Sequence, residues 1–390
     1  MDRDELAGWL RLALTPGVGN DAARRLLAAF GLPQAIFEQK SSAWRQLVTP
    51  AQAEALAVEP PALPAQLQAT LDWLAGADDG LARRLVTLGD AAYPASLLAM
   101  ADPPLMLYLS GQLGSIGDGP HAGWPARVLA IVGSRNPTPQ GAQNARQFAR
   151  SFSAAGLTVV SGLALGVDGA AHEGALDGGD VAAAGHLATI AVIGTGIDRV
   201  YPRQHLELAR RIARHGLIVS EYPLGTPPLA ANFPKRNRLI AGLAQGTLVV
   251  EAALQSGSLI TARLASEQGK EVFAIPGSIH SPQSRGCHAL IRQGAKLVET
   301  AQDVLEELRW PVPPDDAPAR TGGDGLGGSV VSGDGALLLE ALGADPVSLD
   351  ALLARTGLDT ATLQARLLEL ELDGQVGRLP GGLFQRLALG

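Results

Sequence analysis

The sequence has a single cysteine, Cys287, among its 390 residues. A disulfide or a cysteine zinc site needs at least two thiols, so neither can form within the chain. The seven histidines do not fall at metal-ligand spacing, and we expect no bound metal. Neither a complete Gly-x-Gly-x-x-Gly fingerprint nor a Walker lysine motif occurs. A dinucleotide or ATP therefore has little support, and no cofactor is predicted.

Long apolar runs are also absent. No stretch of eighteen apolar residues exists, so no membrane-spanning helix is expected. The acidic start of the chain, Met1 to Glu5, lacks the apolar region of a signal peptide. Together with the single thiol, these features favour a cytoplasmic protein.

The formal net charge of −7 is distributed unevenly. Residues 125–300 hold 17 Lys/Arg and 11 Asp/Glu, a net charge of +6, whereas residues 1–124 and 301–390 carry −5 and −8. A polyanion responds to local charge rather than to the total. The middle of the chain is therefore the candidate segment for binding nucleic acid.

From residue 128 onward, short apolar runs alternate with helical patterns. This alternation is typical of a parallel sheet covered on both faces. We predict an α/β protein with an extended Rossmann-like doubly wound sheet over residues 80–310. An N-terminal helical domain of the helix-hairpin-helix (SAM-like) type is expected at residues 1–60. A linker at 311–335 and a winged-helix-like domain at 336–390 are expected to follow.

The roles of the two flanking domains stay open. The amides of the tight turn Gly17-Val18-Gly19 could point at a DNA phosphate, or the turn could be a plain connection between two helices whose glycines allow positive φ. Acidic residues mark the supposed recognition helix of the winged-helix-like domain, namely Glu369, Glu371 and Asp373. This acidity favours a role in protein contact or packing over DNA binding.

The most cationic stretch is Phe233-Pro234-Lys235-Arg236-Asn237-Arg238, which leads into an apolar run of helical spacing. The spacing predicts that Lys235 to Arg238 occupy a loop and the first turn of a helix. Cations are disfavoured at a helix N-terminus unless an anion binds there. The stretch therefore indicates a site for phosphate or a nucleic-acid backbone, with a solvated basic turn as the alternative.

The loops that follow the predicted strands are the next candidates, because ligands of an open parallel sheet bind outside the carboxyl ends of its strands. Arg135 offers a planar fork for phosphate, and Ser258 is a plausible N-cap of a helix. Five loops rich in small residues should converge on one rim: Gly133-Ser134-Arg135, residues 161–168, residues 194–198, residues 255–262 and residues 276–278. Together with the basic stretch, they favour a phosphate-bearing ligand.

The sequence offers few combinations of residues that could form a catalytic site. His172 could pair with Asp168 across a helical turn, but a structural histidine is the favoured interpretation. Cys287 and His288 are direct neighbours, which makes them poor partners in a dyad, and Cys287 is interpreted as inert. The residues alone therefore give little support for catalysis.

Six motifs recur in order within residues 85–300 of the chain. They are Ile131-Val132-Gly133-Ser134-Arg135; residues 161–168 with Ala171-His172; residues 194–198 with Tyr201-Pro202; residues 233–238; Val250-Glu251-Ala252 with residues 256–262; and Ile275-Pro276-Gly277. In this order they resemble the DNA-processing protein A (DprA/Smf) family. Two features depart from the family pattern. Leu163 stands where a second glycine is common, and residues near 178–188 form an insertion rich in glycine and alanine.

The resemblance implies a bacterial protein that binds single-stranded DNA, protects it during natural transformation and helps to load RecA recombinase. It also implies a homodimer formed through the Rossmann domains and no enzymatic turnover. The DNA pocket that it implies consists of Gly133, Ser134, Arg135, Phe233, Lys235, Arg236, Asn237, Arg238, Ser256, Gly257, Ser258 and Thr261. Phe233 could stack on a base or pack against the start of the helix. Since no residue pattern reads base edges, we expect binding to be largely independent of sequence.

Glu251 leaves a competing enzymatic interpretation. It closes an apolar strand, as does a glutamate near the same place in the related Rossmann sheets of nucleoside-monophosphate phosphoribohydrolases. It could act as a general base there. We favour a structural role in which Glu251 holds Arg238 or another rim cation in an ion pair.

Overall fold

The computed structural model describes residues 1–76, 80–114, 116, 123–178, 187–310, 338–339, 341–343, 346–379 and 381–386. The predicted linker at 311–335 and most of the predicted insertion near 178–188 lie outside these residues. Within the described part, no helix is both long and apolar enough to cross a bilayer.

Six helices open the chain: α1 (Arg3–Leu14), α2 (Asn20–Phe30), α3 (Pro33–Phe37), α4 (Ser41–Trp44), α5 (Pro50–Leu56) and α6 (Leu63–Ala75). Their starts carry strong local signals. Asp2 caps α1 through its side chain, and Thr49 with Gln52 forms a capping box on α5. The apolar faces meet in a core built around Trp9, Leu26 and other buried aliphatic side chains.

The helical unit continues beyond the boundary expected at residue 60. Helix α6 follows the proline-rich joint, yet Leu63 and Leu67 belong to the same core as α1. That core also contains Leu85 and Tyr108 from the first two strands, and the ring of Trp73 meets Tyr108 edge-on at 5.7 Å. The N-terminal helices therefore pack as one body with the edge of the sheet.

Within the described residues, the central sheet has nine strands: β1 (Ala82–Thr87), β2 (Met106–Gly111), β3 (Val128–Val132), β4 (Thr158–Ser161), β5 (Thr189–Val192), β6 (Leu217–Ser220), β7 (Gly246–Val249), β8 (Glu271–Ala274) and β9 (Lys296–Leu297). Their order is β1-β2-β6-β5-β4-β3-β7-β8-β9, in which the β1–β2 and β2–β6 pairs are antiparallel and all other neighbouring pairs are parallel. Strands β3 to β8 have almost entirely buried residues, as expected for a sheet covered on both faces.

The helices of this region cover the two faces of the sheet. They are α7 (Ala95–Leu98), α8 (Pro139–Ala154), α9 (Val167–Gly178), α10 (Leu206–His215), α11 (Asn232–Leu243), α12 (Ser258–Glu267), α13 (Arg285–Arg292) and α14 (Ala301–Glu307). The predicted Rossmann-like, doubly wound fold class is confirmed.

The strand order fixes where a ligand can bind. From β3 the chain builds outward through β4, β5 and β6 and then returns to add β7 on the other side of β3. The loops that leave β3 and β7 thus turn in opposite directions and open a crevice between them. Val132 pairs with Val249, so both strands end at the same level.

The C-terminal part contains β10 (Val347–Ser348), α15 (Leu349–Thr356), α16 (Thr360–Leu372), β11 (Val376–Leu379) and β12 (Leu383–Arg386). The strands form a three-stranded antiparallel sheet in the order β10-β12-β11. Leu352, Leu367 and Phe384 lie in its core. Two helices followed by a hairpin agree with the predicted winged-helix class, and the further helix predicted at residues 336–342 lies partly outside the described residues.

Candidate nucleic-acid interface

A cavity of about 710 Å³ opens at the crevice between β3 and β7. Its walls come from the loops after β3, β4 and β7, from the start of α11 and from the first turn of α12. The predicted residues that line it are Gly133, Ser134, Arg135, Phe233, Arg236, Asn237, Ser256, Gly257, Ser258 and Thr261. The structure therefore brings together ten of the twelve predicted residues, while Lys235 and Arg238 lie outside the cavity wall.

The loop after β3 has no room for a side chain at its first residue. A Cβ on Gly133 would lie 2.8 Å from Val167 Cγ2 and 2.9 Å from the carbonyl oxygen of Glu251. The next residue, Ser134, is buried, and its hydroxyl accepts a hydrogen bond from the amide of Asn136 at 3.1 Å. This bond turns the chain so that Arg135 projects into solvent at the rim.

The loop after β4 is organised around Asp168. Its buried carboxylate accepts hydrogen bonds from the amides of Gly162 (3.1 Å) and Ala164 (3.3 Å). Burial raises the pKa of Asp168, and the nearby Arg236 opposes that shift. Leu163, at the position where the family favours glycine, has a φ of 57° and so adopts the left-handed conformation that the double glycine would allow.

His172 does not pair with Asp168. Its Nδ1 lies 2.7 Å from the hydroxyl of Thr189, and that hydroxyl donates its proton to the carbonyl of Val159. Nδ1 must therefore carry the imidazole proton. Burial lowers the pKa of His172 to about 3, so the ring is neutral. The structural interpretation fits, with Thr189 as the partner in place of the expected Asp168.

Helix α11 begins earlier than the sequence predicted. It starts at Asn232, whose side chain donates to the carbonyl of Gly194 at 3.2 Å, rather than near Lys235. Lys235 to Arg238 thus form the end of the first turn and the second turn instead of a loop. Successive residues here point in directions about 100° apart, so the four polar side chains enter different environments.

Arg236 points inward. It is only 3% exposed, and Nη1 donates hydrogen bonds to the carbonyls of Gly162 and Val192 at the ends of β4 and β5. Burial lowers its pKa to about 10, with the carboxylate of Asp168 opposing the shift. Arg236 forms part of the cavity floor and ties α11 to the sheet. Its predicted role in neutralising phosphate at the surface is not supported.

Arg238 is also committed to protein groups. Its side chain is 14% exposed, forms an ion pair with Glu221 and donates to the carbonyl of Asp102 at 2.6 Å. The predicted partner Glu251 is elsewhere. An arginine held this way cannot reach a phosphate without abandoning a largely buried carboxylate.

Of the four cations predicted for the pocket, two remain accessible to solvent. Lys235 and Arg135 are both exposed, and neither forms an ion pair with a residue of the described ranges. The guanidinium of Arg135 lies 5.7 Å from the ring centroid of Phe233, and the Phe233 ring lies 5.5 Å from that of Tyr201. Cation and aromatic rings therefore stand side by side.

Phe233 serves two purposes at once. One part of its ring packs against the backbone, since a Cβ on Gly194 would lie 3.0 Å from Phe233 Cδ1. The ring also lines the cavity and is only half-buried. The stacking and packing interpretations of this residue are thus compatible.

The opposite wall is the turn before α12. Gly257 holds the N-cap position, and Ser258 is the first helical residue, so the expected N-cap at Ser258 is wrong by one residue. The hydroxyl of Ser256 accepts from the amide of Ser258 at 3.3 Å, and Asn237 Nδ2 donates to the carbonyl of Gly257 at 3.3 Å. The second bond connects this wall to α11. Thr261 is almost fully buried beneath it.

Glu251 has the structural role that we favoured, but its partner is not a cation. Its carboxylate accepts hydrogen bonds from the amide of Thr138 at 2.9 Å and from the Thr138 hydroxyl at 2.6 Å. Thr138 is the N-cap of α8, so the carboxylate stabilises that helix start. Burial raises the pKa of Glu251, and the bonds from Thr138 oppose the shift.

Several residues in or beside the cavity were not among those predicted from the sequence. Tyr201 is 48% exposed and stands beside Phe233, although it already belonged to one of the recognised motifs. Asn136, Gln255 and Gln283 add amide groups to the wall. Arg203 follows Tyr201 closely and is exposed. An aromatic and a cation directly after the third small-residue loop were the available signal.

No group of three or more metal-ligating side chains occurs in the described residues. Cys287 is buried, and burial raises the pKa of its thiol to about 12, which fits an inert residue.

Two family descriptions match the chain: DNA recombination-mediator protein A at residues 84–309 and the DprA winged helix domain at residues 312–382. Protein Smf of Escherichia coli is 40% identical over 324 residues, which cover 81% of this chain and 80% of the relative. DNA processing protein DprA of Streptococcus pneumoniae is 44% identical over 221 residues, covering 57% and 73%.

Solved structures agree with these matches. The X-ray structure of DNA processing protein A from Streptococcus pneumoniae superimposes with a TM-score of 0.58 at 35% identity, covering 79% of this chain and 98% of that one. A structure of DNA processing protein A from Helicobacter pylori, described for its single-stranded DNA binding mode, has a TM-score of 0.50 at 31% identity and covers 58% and 96%.

Proposed function

Because this chain belongs to the DprA/Smf family of DNA recombination-mediator proteins, we propose that it binds single-stranded DNA in the cavity between β3 and β7. One observation carries the proposal. The rim places an exposed arginine, Arg135, against the aromatic pair Phe233 and Tyr201, at the crevice where the strand order reverses. The Helicobacter pylori protein, which shares this fold, is described as binding the same class of ligand.

The chemistry of the cavity suits a single strand. Arg135 and Lys235 neutralise backbone phosphates, while a base stacks on the accessible part of Phe233 or Tyr201. A side chain on Gly257 would point into open space, so the glycine lets the strand approach the backbone closely there. Stacking and phosphate contacts do not distinguish one base from another, so binding is largely independent of sequence.

The family membership supports a wider role. In this proposal the protein works in the cytoplasm, protects incoming DNA during natural transformation and loads a RecA-type recombinase onto the bound strand. It acts as a homodimer formed through the Rossmann domain. Exposed apolar side chains near the β8–β9 edge of the sheet, Ile279 and Leu297, support a partner surface there.

Fluorescence anisotropy with a labelled single strand across a salt series tests the binding proposal. Each phosphate contact contributes a slope of about −0.7 to log K against log salt. We expect Arg135→Gln and Lys235→Gln each to weaken binding and to reduce the slope by about one such contact. Arg210→Gln is the matched control, because Arg210 is also exposed but pairs with Glu207 on α10. Equal affinity in all three folded variants would remove the cavity as the DNA site.

The enzymatic alternative is disfavoured by the position of Glu251. Its carboxylate is engaged by Thr138, and Glu251 is not among the side chains that line the cavity. A general base needs access to the proton that it removes. Incubation with nucleoside monophosphates should release no free base, and steady release would restore the alternative.

A further inference from the structure

Asp102 connects the N-terminal helices to α11. Its carboxylate accepts hydrogen bonds from Arg24 Nη1 at 3.0 Å and from Asn20 Nδ2 at 3.3 Å, both on α2, and Arg24 Nη2 donates to the carbonyl of Ala101 at 2.8 Å. From the other side, Arg238 Nη1 donates to the carbonyl of Asp102 at 2.6 Å. The Nε atom of Arg238 lies 3.6 Å from Asp102 Oδ2. One short segment thus holds an arginine from each of two distant elements.

The contacts of Asp102 also indicate the role of the helical hairpin that α1 and α2 form around the turn Gly17-Val18-Gly19. Asn20 is the first residue of α2, where a hairpin of the DNA-binding type would present donors to a phosphate. Here the anion beside that helix start is Asp102 of the same chain. The hairpin is therefore engaged in packing against the sheet domain, which favours the second of the two roles left open for it.

At the far end of the connection lies a largely buried ion pair. Arg238 and Glu221 have side chains that are 14% and 11% exposed, and they form an ion pair. Burial raises the pKa of Glu221, and the charge of Arg238 opposes that shift. If Arg238 moved away, it would leave an uncompensated carboxylate in a largely buried position. Arg238 is therefore a fixed point on α11.

Lys235 precedes Arg238 by three residues on the same helix. Side chains at this spacing are neighbours on one side of a helix. Holding Arg238 consequently limits how far α11 can rotate about its axis, and this in turn sets the direction in which Lys235 leaves the helix. Arg236 and Asn237 hold α11 to the sheet and to α12, so Arg238 supplies the anchor toward the N-terminal helices.

We propose that Arg24 and Asp102 are positioning residues for DNA binding, through which the N-terminal helical unit orients α11 and the exposed Lys235. The inference rests on the proposed function, because it needs Lys235 to contact the strand. Arg24 itself touches no DNA in this arrangement. The N-terminal unit then influences the affinity for DNA without forming part of the binding surface.

The test compares Arg24→Gln with Arg25→Gln in the full chain. Arg25 is the next residue of α2 and loses the same charge, but its side chain is exposed and pairs only with Asp21 among the described residues. We expect Arg24→Gln to weaken binding of a labelled single strand by about three- to tenfold and Arg25→Gln to leave it unchanged. The salt slope of Arg24→Gln should equal that of the wild type, because no phosphate contact is lost.

A double-mutant cycle with Lys235→Gln supplies the second readout. If Arg24 acts through Lys235, the Arg24→Gln/Lys235→Gln variant should bind no more weakly than Lys235→Gln alone. Arg24→Lys keeps the charge but loses the two-pronged contact to Asp102 and Ala101, so it should fall between the wild type and Arg24→Gln. Arg24→Lys also serves in the cycle if Arg24→Gln does not fold.

The outcomes separate this inference from the proposed function. Weaker binding by Lys235→Gln with wild-type affinity in folded Arg24→Gln would overturn the positioning role and leave the DNA site intact. A salt slope reduced by about 0.7 in Arg24→Gln would identify a direct phosphate contact and also overturn it. Wild-type affinity in Lys235→Gln would remove the premise and with it the inference.

Discussion

Lys235 and Arg236 are adjacent in the chain, yet the lysine side chain is exposed and the arginine is 3% exposed. The two residues therefore divide the work of the basic stretch. Lys235 offers its charge to solvent, whereas Arg236 connects α11 to the carbonyls at the ends of β4 and β5. Substitutions at the two positions should report on different properties.

Arg236→Gln should lower the free energy of unfolding by about 3–5 kcal/mol, because it leaves Asp168 buried without its compensating charge. Lys235→Gln should change it by less than about 0.5 kcal/mol. Urea denaturation of both variants at pH 7 measures the difference. Similar stability in the two would contradict the buried role of Arg236. Loss of DNA binding in Arg236→Gln is informative only after folding has been verified.

Phe233→Leu should weaken binding of single-stranded DNA by about 1–3 kcal/mol, since leucine keeps apolar packing but provides no ring for stacking. A single strand of the same length with abasic sites is the control ligand. It retains the phosphates and should bind the wild type and Phe233→Leu with similar affinity. If the substitution weakens binding to the abasic strand just as much, Phe233 acts only by packing at the start of α11.

His172 should make stability fall as the pH is lowered. Burial lowers the pKa of His172 to about 3 in the folded state, whereas the unfolded chain takes up the proton near 6.5. Between these values the unfolded state binds more protons, so stability is lost on acidification. From this residue alone the loss between pH 6.5 and pH 5 is about 2 kcal/mol.

His172→Gln provides the comparison for that pH dependence. The variant starts from lower stability, because glutamine does not reproduce the bond to Thr189, but it lacks a titrating ring. Urea denaturation of both proteins from pH 7.5 to pH 5 should therefore show a steeper decline for the wild type. Parallel curves would mean that the ring is not buried in its neutral form.

At Leu163 we expect a glycine substitution to be less destabilising than an alanine substitution, which is the reverse of the usual order. Its φ of 57° strains any residue with a Cβ, while its side chain is buried in the core between β5 and α10. Leu163→Ala loses the packing and keeps the strain. Leu163→Gly loses the same packing but relieves the strain, so it should be more stable than Leu163→Ala by about 1 kcal/mol.

Thermal unfolding of the two Leu163 variants decides the order. Both should be less stable than the wild type, because removing a buried leucine side chain costs about 2–5 kcal/mol. An alanine variant as stable as the glycine variant would show that the loop relaxes out of the left-handed conformation.

The sequence predicted the sheet well because buried parallel strands can be recognised as short, continuous apolar runs. It also predicted that the loops after those strands would meet, since parallel strands place their carboxyl ends on one edge. It could not predict which cations face solvent. That choice depends on where α11 begins. The helix begins at Asn232, so it already includes Lys235, which the sequence had placed at the end of a loop or in the first turn.

The sequence also could not predict contacts between residues that are far apart in the chain. Arg238 meets Asp102, which lies 136 residues away, and Glu251 meets Thr138, which lies 113 residues away. Neither pair leaves a local pattern, because each contact exists only after the strands have been ordered. The ion-pair partner expected for Glu251 was wrong for this reason, although its structural role was correctly anticipated.

The shared core of the N-terminal helices and the sheet edge limits how the chain can be divided. Leu85 and Tyr108 are covered by α1 to α6, so a fragment that begins at β1 would expose a broad apolar surface to water. Such a fragment should aggregate unless another protein covers that surface. In truncation experiments on this chain, the N-terminal helices and the sheet should therefore behave as one unit.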